Sequence, residues 1–506
     1  MKRVADDRNA GYRTTLAALL EGIAVPMRDV AVAGLAMDSR DAGPDGVFLA
    51  CAGRTSHGIA HAADAIARGA TVVLHEPADG VAVPALPPQV IVHAIPGLRS
   101  RVGEIADRYF RSPSAALEVA ACTGTNGKTT VTWLLAQAAD LLGRRGAYLG
   151  TLGYGRLGSV SGAGLTTPDC VSVHRRLAEA RDAGARTVAM EVSSHALDQG
   201  RIDAVRVDTA VFTNLTRDHL DYHGTLEAYA EAKARLFRVP GLVRAVVNVR
   251  DPYGRRLAES LDPSIEHVYY STSNDVWAPQ GSGWLRVPQL RATSAGLTLA
   301  IESSWGAGTL RSRLVGEFNA ENLLAVLAVL LGWRVPLQRA LAALEPCVAP
   351  PGRMEAFGGG AQPLVLVDYA HTPDALAKVL LAARAHARGR VHCVFGCGGD
   401  RDPGKRPLMG AIAEDHADVV VVTDDNPRTE DSRVIIEQVL AGMREPSAAH
   451  VIADRTEAIQ HAIAEADAGD VIVVAGKGHE DYQVVGREVR PYSDRTVVRD
   501  SLGREG

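Results

Sequence analysis

The chain has 506 residues, 46% of them hydrophobic and 22% charged, which excludes wholesale disorder and is too long for one ordinary core; about 150 residues per domain suggests about three domains. Its 54 Lys and Arg against 59 Asp and Glu leave a net charge of -5, which excludes an overall basic field for nucleic acid or anionic lipid, so anionic substrates must be met by local groups. The six cysteines, Cys51, Cys122, Cys170, Cys347, Cys393 and Cys397, are scattered without paired zinc-finger spacing, so reduced thiols are expected. No apolar run approaches the roughly 20 residues that span a bilayer, and the charged start Met1–Arg8 lacks a signal-peptide core, so a cytoplasmic location is expected.

The pattern predicts an α/β protein. Residues 1–114 form a small α/β domain, with strands at Val47–Cys51, Thr71–His75 and Gln89–His93 and a helical stretch Gly58–Gly69, closed by the linker Arg111–Ser114. A central domain, 115–348, restarts at Leu117 as strand, glycine loop and helix, and continues as a mostly parallel sheet through Thr187–Val192, Thr209–Asn214 and Arg244–Val249. Within it Val276–Leu314 alternates apolar and polar residues, as antiparallel edge strands do. The helical region Ala320–Leu344 stops at Pro346, Pro350 and Pro351. A third, Rossmann-like doubly wound domain, 349–506, follows, with strands Leu364–Asp368, Val391–Phe395, Val419–Thr423 and Val471–Ala475. Neither solenoid repeats nor low-complexity tracts are present.

Leu117–Ala121 is an apolar strand, Thr123–Thr130 a glycine-bearing loop, and Val131–Leu142 an apolar-periodic helix. That is the setting of a phosphate loop: Gly124, Thr125, Asn126 and Gly127 bring backbone N–H groups to a polyphosphate, Lys128 reaches the terminal phosphates, the Thr129 hydroxyl can hold Mg²⁺, and Thr130 opens the helix. ATP is the natural ligand; the bland alternative is a helix-opening turn with a chance lysine. The general phosphate-loop pattern would put its first glycine at Cys122, and the variant T-G-T-N-G-K-T resembles instead the loop of Mur ligases and of the folylpolyglutamate and cyanophycin synthetases.

The Mur ligase resemblance covers nearly the whole chain in order: Asp38–Arg40, the phosphate loop, Thr166–Pro168, Glu191–Arg201, Asn214–Gly224, Gly316–Asn322, Gly352–Arg353, Asp368–Pro373 and the C-terminal loops. It implies that Glu191 and His219, at successive strand ends, bind Mg²⁺ beside Thr129. It also implies that Lys233 is carbamylated to N6-carboxylysine, which turns a repelling ammonium into a carboxylate-like ligand; unmodified, Lys233 would contact phosphate directly. Lys128, Glu191, His219 and Lys233 are thus the expected catalytic group. Asn319 and Asn322 fall where the family contacts adenine, and Arg353 and Asp368 where it engages nucleotide phosphate and ribose; helix capping is the other reading of the asparagines.

The resemblance implies a UDP-muramoyl dipeptide substrate, held by Ser39, Thr55 and Ser56 at its nucleotide and by Thr166, Thr167, Ser193, Gln199 and Arg201 at its muramoyl peptide. A surface turn Gly53–Gly58 explains Thr55 and Ser56 equally well. Asp425-Asn-Pro-Arg428 and Gly476–Glu480 each follow a predicted strand. Asp425, Asn426, Pro427, Arg428, Gly476 and Glu480, with Arg401, match the residues by which diaminopimelate-adding members hold that amino acid. A second carboxylate on meso-diaminopimelate calls for a guanidinium, from Arg428 or Arg401, and Glu480 would hold the distal ammonium; Asn426-Pro427 is otherwise a plain turn.

Such a ligase uses ATP and Mg²⁺ to activate a carboxylate as an acyl phosphate, which an amine then attacks. Several domains would close over the intermediate and exclude water. The expected place is peptidoglycan precursor synthesis and hence cell shape and division, by a monomer acting on small molecules without nucleic acid or membrane insertion. A switch or motor ATPase would hydrolyse ATP without an amide product, and a non-catalytic UDP-sugar binder need not retain Lys128, Thr129, Glu191, His219 and Lys233.

Overall fold

A computed structural model of the chain describes residues 11–53, 56–162, 165–293 and 295–503. Thr55 therefore lies outside the described residues. The chain divides into two compact units, Met1–Lys128, Gly143–Ala245 and Leu261–Ile265 in the first, and Thr129–Leu142, Val246–Ser260 and Glu266–Gly506 in the second.

The first unit contains a sheet of four parallel strands in the order Gly34–Ala36, Gly46–Ala50, Ala70–His75, Ile91–Ala94. Side chains alternate across a strand, and here both faces are covered. Val47, Leu49, Val72 and Leu74 pack with Leu98, Val102 and Ile105 of helix Leu98–Tyr109, whereas Phe48, Ala50 and Val73 pack with Ile59, Ala62 and Ala65. The expected helix Gly58–Gly69 is a 3-10 turn, Gly58–His61, followed by the α-helix Ala62–Ala67.

The same unit then builds parallel strands in the order Thr209–Phe212, Glu118–Thr123, Thr187–Glu191, Gly146–Gly150, with Gly153–Gly155 returning antiparallel. Every residue of these parallel strands except Glu118 is buried, as a sheet covered on both faces requires. Ligands of open α/β sheets sit at the carboxyl ends of the strands, and Thr123, Gly150, Glu191 and Phe212 all stand at such ends.

In the second unit Glu266–Ser271 pairs parallel to Gly283–Thr293, which continues as an antiparallel meander through Gly296–Ser303 and Gly306–Ser312. The expected edge strands are therefore present. Helix Phe318–Gly332 follows, and every residue from Leu323 to Gly332 is buried, the pattern of a core helix apolar all round. Arg334–Pro336 interrupts the predicted helical region before Leu337–Leu344 resumes it.

Strands Leu364–Asp368, Val471–Ala475, Val391–Phe395, Val419–Val422 and His450–Val451 form, in that order, the parallel part of a six-stranded sheet whose other edge is the antiparallel Glu355–Gly358. Alternate residues again serve two cores: Leu366, Cys393, Phe395 and Val473 face Leu376, Leu380 and Met409, while Val365, Val394, Val421 and Val474 face Ile459, Ile463 and Val498. This is the doubly wound arrangement predicted for residues 349–506. Each Val, Leu or Ile so buried contributes roughly 1.5–3 kcal/mol.

Candidate active site

The phosphate loop forms where the central strand Glu118–Thr123 ends and helix Lys128–Leu141 begins. Cys122, at the position of the usual first glycine, is a fully buried strand residue opposite Glu191, so the turn starts two residues later. Gly124 has φ of 150°, and a Cβ there would lie 1.9 Å from Thr213 Oγ1; glycine is required. The loop is braced from the next strand end. Asn126 N–H donates to Asn214 Oδ1 at 2.9 Å, Thr213 Oγ1 donates to the Asn126 carbonyl at 2.6 Å, and Thr125 N–H donates to the Asn214 carbonyl at 2.8 Å.

Two ammonium groups converge on this loop. Lys128 Nζ donates to the carbonyls of Gly124 and Thr125, both at 2.9 Å, and Lys233 Nζ donates to Gly124 O at 2.8 Å. Lys233 is 1% exposed and lies over the Tyr229 ring at 4.2 Å. Its burial, with the nearby Lys128 charge, pushes its pKa well below the ordinary lysine value. Burial raises the pKa of the Cys122 thiol, on which the charges of Lys128, Glu191 and Lys233 also act.

Glu191 is fully buried and held by its neighbours. Its Oε1 accepts from Tyr148 Oη at 2.5 Å and from Thr151 N–H at 3.0 Å, and its Oε2 from Thr151 Oγ1 at 3.3 Å. A Cβ on Gly150 would fall 2.2 Å from that carboxylate, so Gly150 is the gap it occupies. His219 adopts φ of 51°, and its ring meets His195 edge-on at 4.9 Å and Tyr229 at 6.1 Å. Burial, then the charges of His219 and His223, lowers the pKa of His195. Tyr229 Oη in turn donates to Thr125 Oγ1 at 3.3 Å, which ties His219 to the phosphate loop.

The donor set suits a hard cation in part. Glu191 offers a carboxylate and His219 an imidazole, but Lys233 as an ammonium would repel it; its lowered pKa favours the neutral amine from which a carbamate could form.

Five of the residues expected to hold the muramoyl peptide form one network with Glu191. Thr167 Oγ1 donates to the Glu191 carbonyl at 2.9 Å and accepts from Ser193 N–H at 3.1 Å. Arg201 Nη1 donates to Thr167 O at 2.7 Å and Nη2 to Gln199 Oε1 at 2.7 Å, and Gln199 Nε2 donates to Tyr222 Oη at 2.9 Å. Thr166 Oγ1 lies 3.0 Å from Thr151 Oγ1. Burial lowers the pKa of Arg201. Ser39 opens the 3-10 turn Ser39–Asp41, and Ser56 closes a turn by accepting from Gly53 N–H.

In the second unit a buried polar cluster sits where strands Val419–Val422 and Val471–Ala475 end. Lys477, fully buried, donates to Asn426 Oδ1 at 3.0 Å and pairs with Asp425 and Glu480 at 3.3 Å each. Asn426 Nδ2 donates to Glu480 Oε2 at 3.0 Å. Arg428 has φ of 51° and donates from Nη1 to the Gly399 carbonyl at 2.6 Å. A Cβ on Gly398 would lie 2.9 Å from that Nη1 and 3.7 Å from Arg401 Cγ, so both arginines flank Gly398. Gly476 N–H donates to the Asp368 carbonyl.

The Asp368 carboxylate accepts from the N–H groups of Met354 and Ala370, both at 2.8 Å; burial raises its pKa and Arg353 partly offsets this. Arg353 stacks 5.0 Å over Tyr369. Asn319 Nδ2 donates to Val315 O and Asn322 Nδ2 to Asn319 Oδ1, so both side chains are already engaged within their own helix turn. Sequence reasoning assigned no role to Tyr148, Thr151, Tyr229 or Lys477. Only Lys477 carried a signal, a lysine between two glycines directly after a strand.

Residues 122–330 match the Mur ligase middle domain, and residues 352–478 the Mur ligase glutamate ligase domain. A UDP-N-acetylmuramoyl-L-alanyl-D-glutamate--2,6-diaminopimelate ligase of Pseudomonas aeruginosa is 49% identical over 467 residues, covering 92% of this chain and 94% of that one. A ligase of the same description from Chromobacterium violaceum is 49% identical over 487 residues, 96% of each. A solved structure of a ligase so described superposes with a TM-score of 0.72 at 35% identity, covering 97% of this chain and 99% of that chain. A MurF ligase from Thermotoga maritima in complex with ADP shares the fold, with a TM-score of 0.61 at 16% identity over 93% of this chain and 98% of that chain.

Proposed function

Because the chain belongs to the Mur ligase family, we propose that it joins meso-2,6-diaminopimelate to the D-glutamate of UDP-N-acetylmuramoyl-L-alanyl-D-glutamate, with ATP cleaved to ADP and phosphate, in peptidoglycan precursor synthesis. A carboxylate oxygen of the substrate attacks the γ-phosphorus of ATP, the bond to ADP breaks, and an acyl phosphate forms. The amine of diaminopimelate attacks the acyl carbon, loses a proton and expels phosphate from the tetrahedral intermediate, leaving an amide.

The observation that carries the activation step is the convergence of Lys128 and Lys233 on the Gly124 carbonyl beside buried Glu191. Two anions must approach in that step, and Lys128 is the fixed cation of the loop. Thr129, Glu191, His219 and carbamylated Lys233 are the ligands proposed for magnesium, which when bound neutralises part of the phosphate charge. Carbamylation is supported by the lowered Lys233 pKa: a neutral amine attacks CO₂ and releases one proton. Gly124–Thr130 would hold the phosphates of ATP, with Asn319, Asn322, Arg353 and Asp368 serving the rest of the nucleotide. Arg428 and Arg401 would take the distal carboxylate of diaminopimelate. Asp425, Asn426 and Glu480, which already surround the Lys477 ammonium, are suited to an amine.

We assign residues 1–114, 115–348 and 349–506 to UDP-substrate, ATP and amino-acid binding. No described helix is long and apolar enough to cross a membrane, and with small-molecule substrates this supports action in the cytoplasm. The test is ADP release with the UDP-dipeptide and a panel of amino acids, with the product weighed by mass spectrometry. Release that depends on both the dipeptide and meso-diaminopimelate is expected; equal turnover with lysine would remove the specificity, and ADP without an amide product would remove the ligase reading.

A further inference from the structure

The edge of the six-stranded sheet carries a cluster that the ligase reaction does not use. Its outermost strand, His450–Val451, is followed by helix Arg455–Glu465, whose Ala458, Ile459, Ala462 and Ile463 are buried against the sheet. His461 and Glu465 are four residues apart and so share one face of that helix, and the edge strand brings His450 to them. Nδ1 of His450 and Nε2 of His461 are 3.2 Å apart, Nε2 of His461 and Oε2 of Glu465 are 3.7 Å apart, and all three ligand atoms lie within 4.8 Å of one another.

We infer that His450, His461 and Glu465 form a binding site for a divalent transition-metal ion of the zinc type. Zinc bonds to His and carboxylate are about 2.0–2.1 Å long, which in a tetrahedron spaces neighbouring ligand atoms about 3.3–3.4 Å apart. The separations of 3.2 and 3.7 Å bracket that spacing. Glu465 has a side chain 45% exposed, so a small rotation completes the third edge without disturbing the core. Two imidazoles and one carboxylate favour zinc over magnesium, which prefers oxygen ligands and keeps its waters. The ion would tie a two-residue edge strand to the helix behind it, with a fourth position left to water. A shared proton between the two imidazoles also accounts for the 3.2 Å separation, and it predicts no metal uptake.

The rival imidazole cluster, His195, His219 and His223, sets the design of the test. Zn²⁺ is titrated calorimetrically, and Co²⁺ by its visible absorption, into the full chain in excess Mg²⁺, for the wild type and for His461→Ala, His450→Gln and His219→Ala. The wild type and His219→Ala should take up the ion with tetrahedral Co²⁺ absorption. His461→Ala and His450→Gln should bind at least about tenfold more weakly while keeping ligase turnover, which also reports that they fold. Unchanged affinity in His461→Ala, loss of uptake in His219→Ala alone, or no uptake by the wild type would each overturn the site.

Discussion

Tyr148→Phe removes a single oxygen beside Glu191. That hydroxyl donates to Glu191 Oε1 at 2.5 Å and accepts from Leu152 N–H at 3.2 Å. A hydrogen bond to a charged group is worth about 1.5–3 kcal/mol, and an amide left without its acceptor costs about 1–3 kcal/mol. The folded state should therefore lose roughly 2.5–6 kcal/mol, read as a lower midpoint of denaturant unfolding. If Glu191 acts only in the orientation that Tyr148 holds, kcat/KM should fall about 10- to 150-fold, since each 1.4 kcal/mol is tenfold. Steady-state ADP release at several Mg²⁺ concentrations measures the loss. A double-mutant cycle with Glu191→Gln, scored on stability, should return a coupling of about 1.5–3 kcal/mol. A Tyr148→Phe enzyme within twofold of the wild type at every Mg²⁺ concentration would refute the view that Glu191 must be fixed to work.

Lys128→Ala should abolish turnover, because it removes the loop's point charge on the transferring phosphate; near-normal ADP release would contradict that role. Arg428→Ala should raise the KM for diaminopimelate by about 1.5–3 kcal/mol, roughly 10- to 150-fold, with kcat less affected, and an unchanged KM would shift the role to Arg401. Lys233 binds fewer protons folded than unfolded, because its folded pKa is lowered well below 10.5. In CO₂-free buffer, then, stability should rise with pH from the folded pKa up to the unfolded one, with the full penalty below both. Lys233→Met should flatten that slope in thermal melts across pH and lose turnover, while bicarbonate should restore the activity of CO₂-depleted wild type.

Local signals carried most of the fold. Strands such as Leu364–Asp368, Val391–Phe395 and Val471–Ala475 lie at their predicted bounds, because parallel strands buried on both faces are continuous apolar runs. Hairpin strands Tyr482–Val485 and Glu488–Pro491 went unread, being short and largely exposed, with no apolar alternation to betray them. In the site, residues that follow strand ends could be found by position: Glu191, His219 and Asp425 are examples. The partners that fix them could not. Tyr148 reaches Glu191 across 43 residues and Lys477 reaches Asn426 across 51, and such pairs are made by strand order, which no local pattern encodes.

The brace between Asn126 and Asn214, 88 residues apart in the chain, bears on how a nucleotide is received. A glycine-rich segment left to itself samples many conformers, and ordering it would be charged against the affinity of every incoming triphosphate. Here the asparagine amide, the Thr213 hydroxyl and the two lysines fix it beforehand. Binding should consequently show little conformational-entropy penalty from this segment, and loosening Asn214 should weaken nucleotide affinity chiefly through an entropic loss that leaves the contacts to phosphate intact.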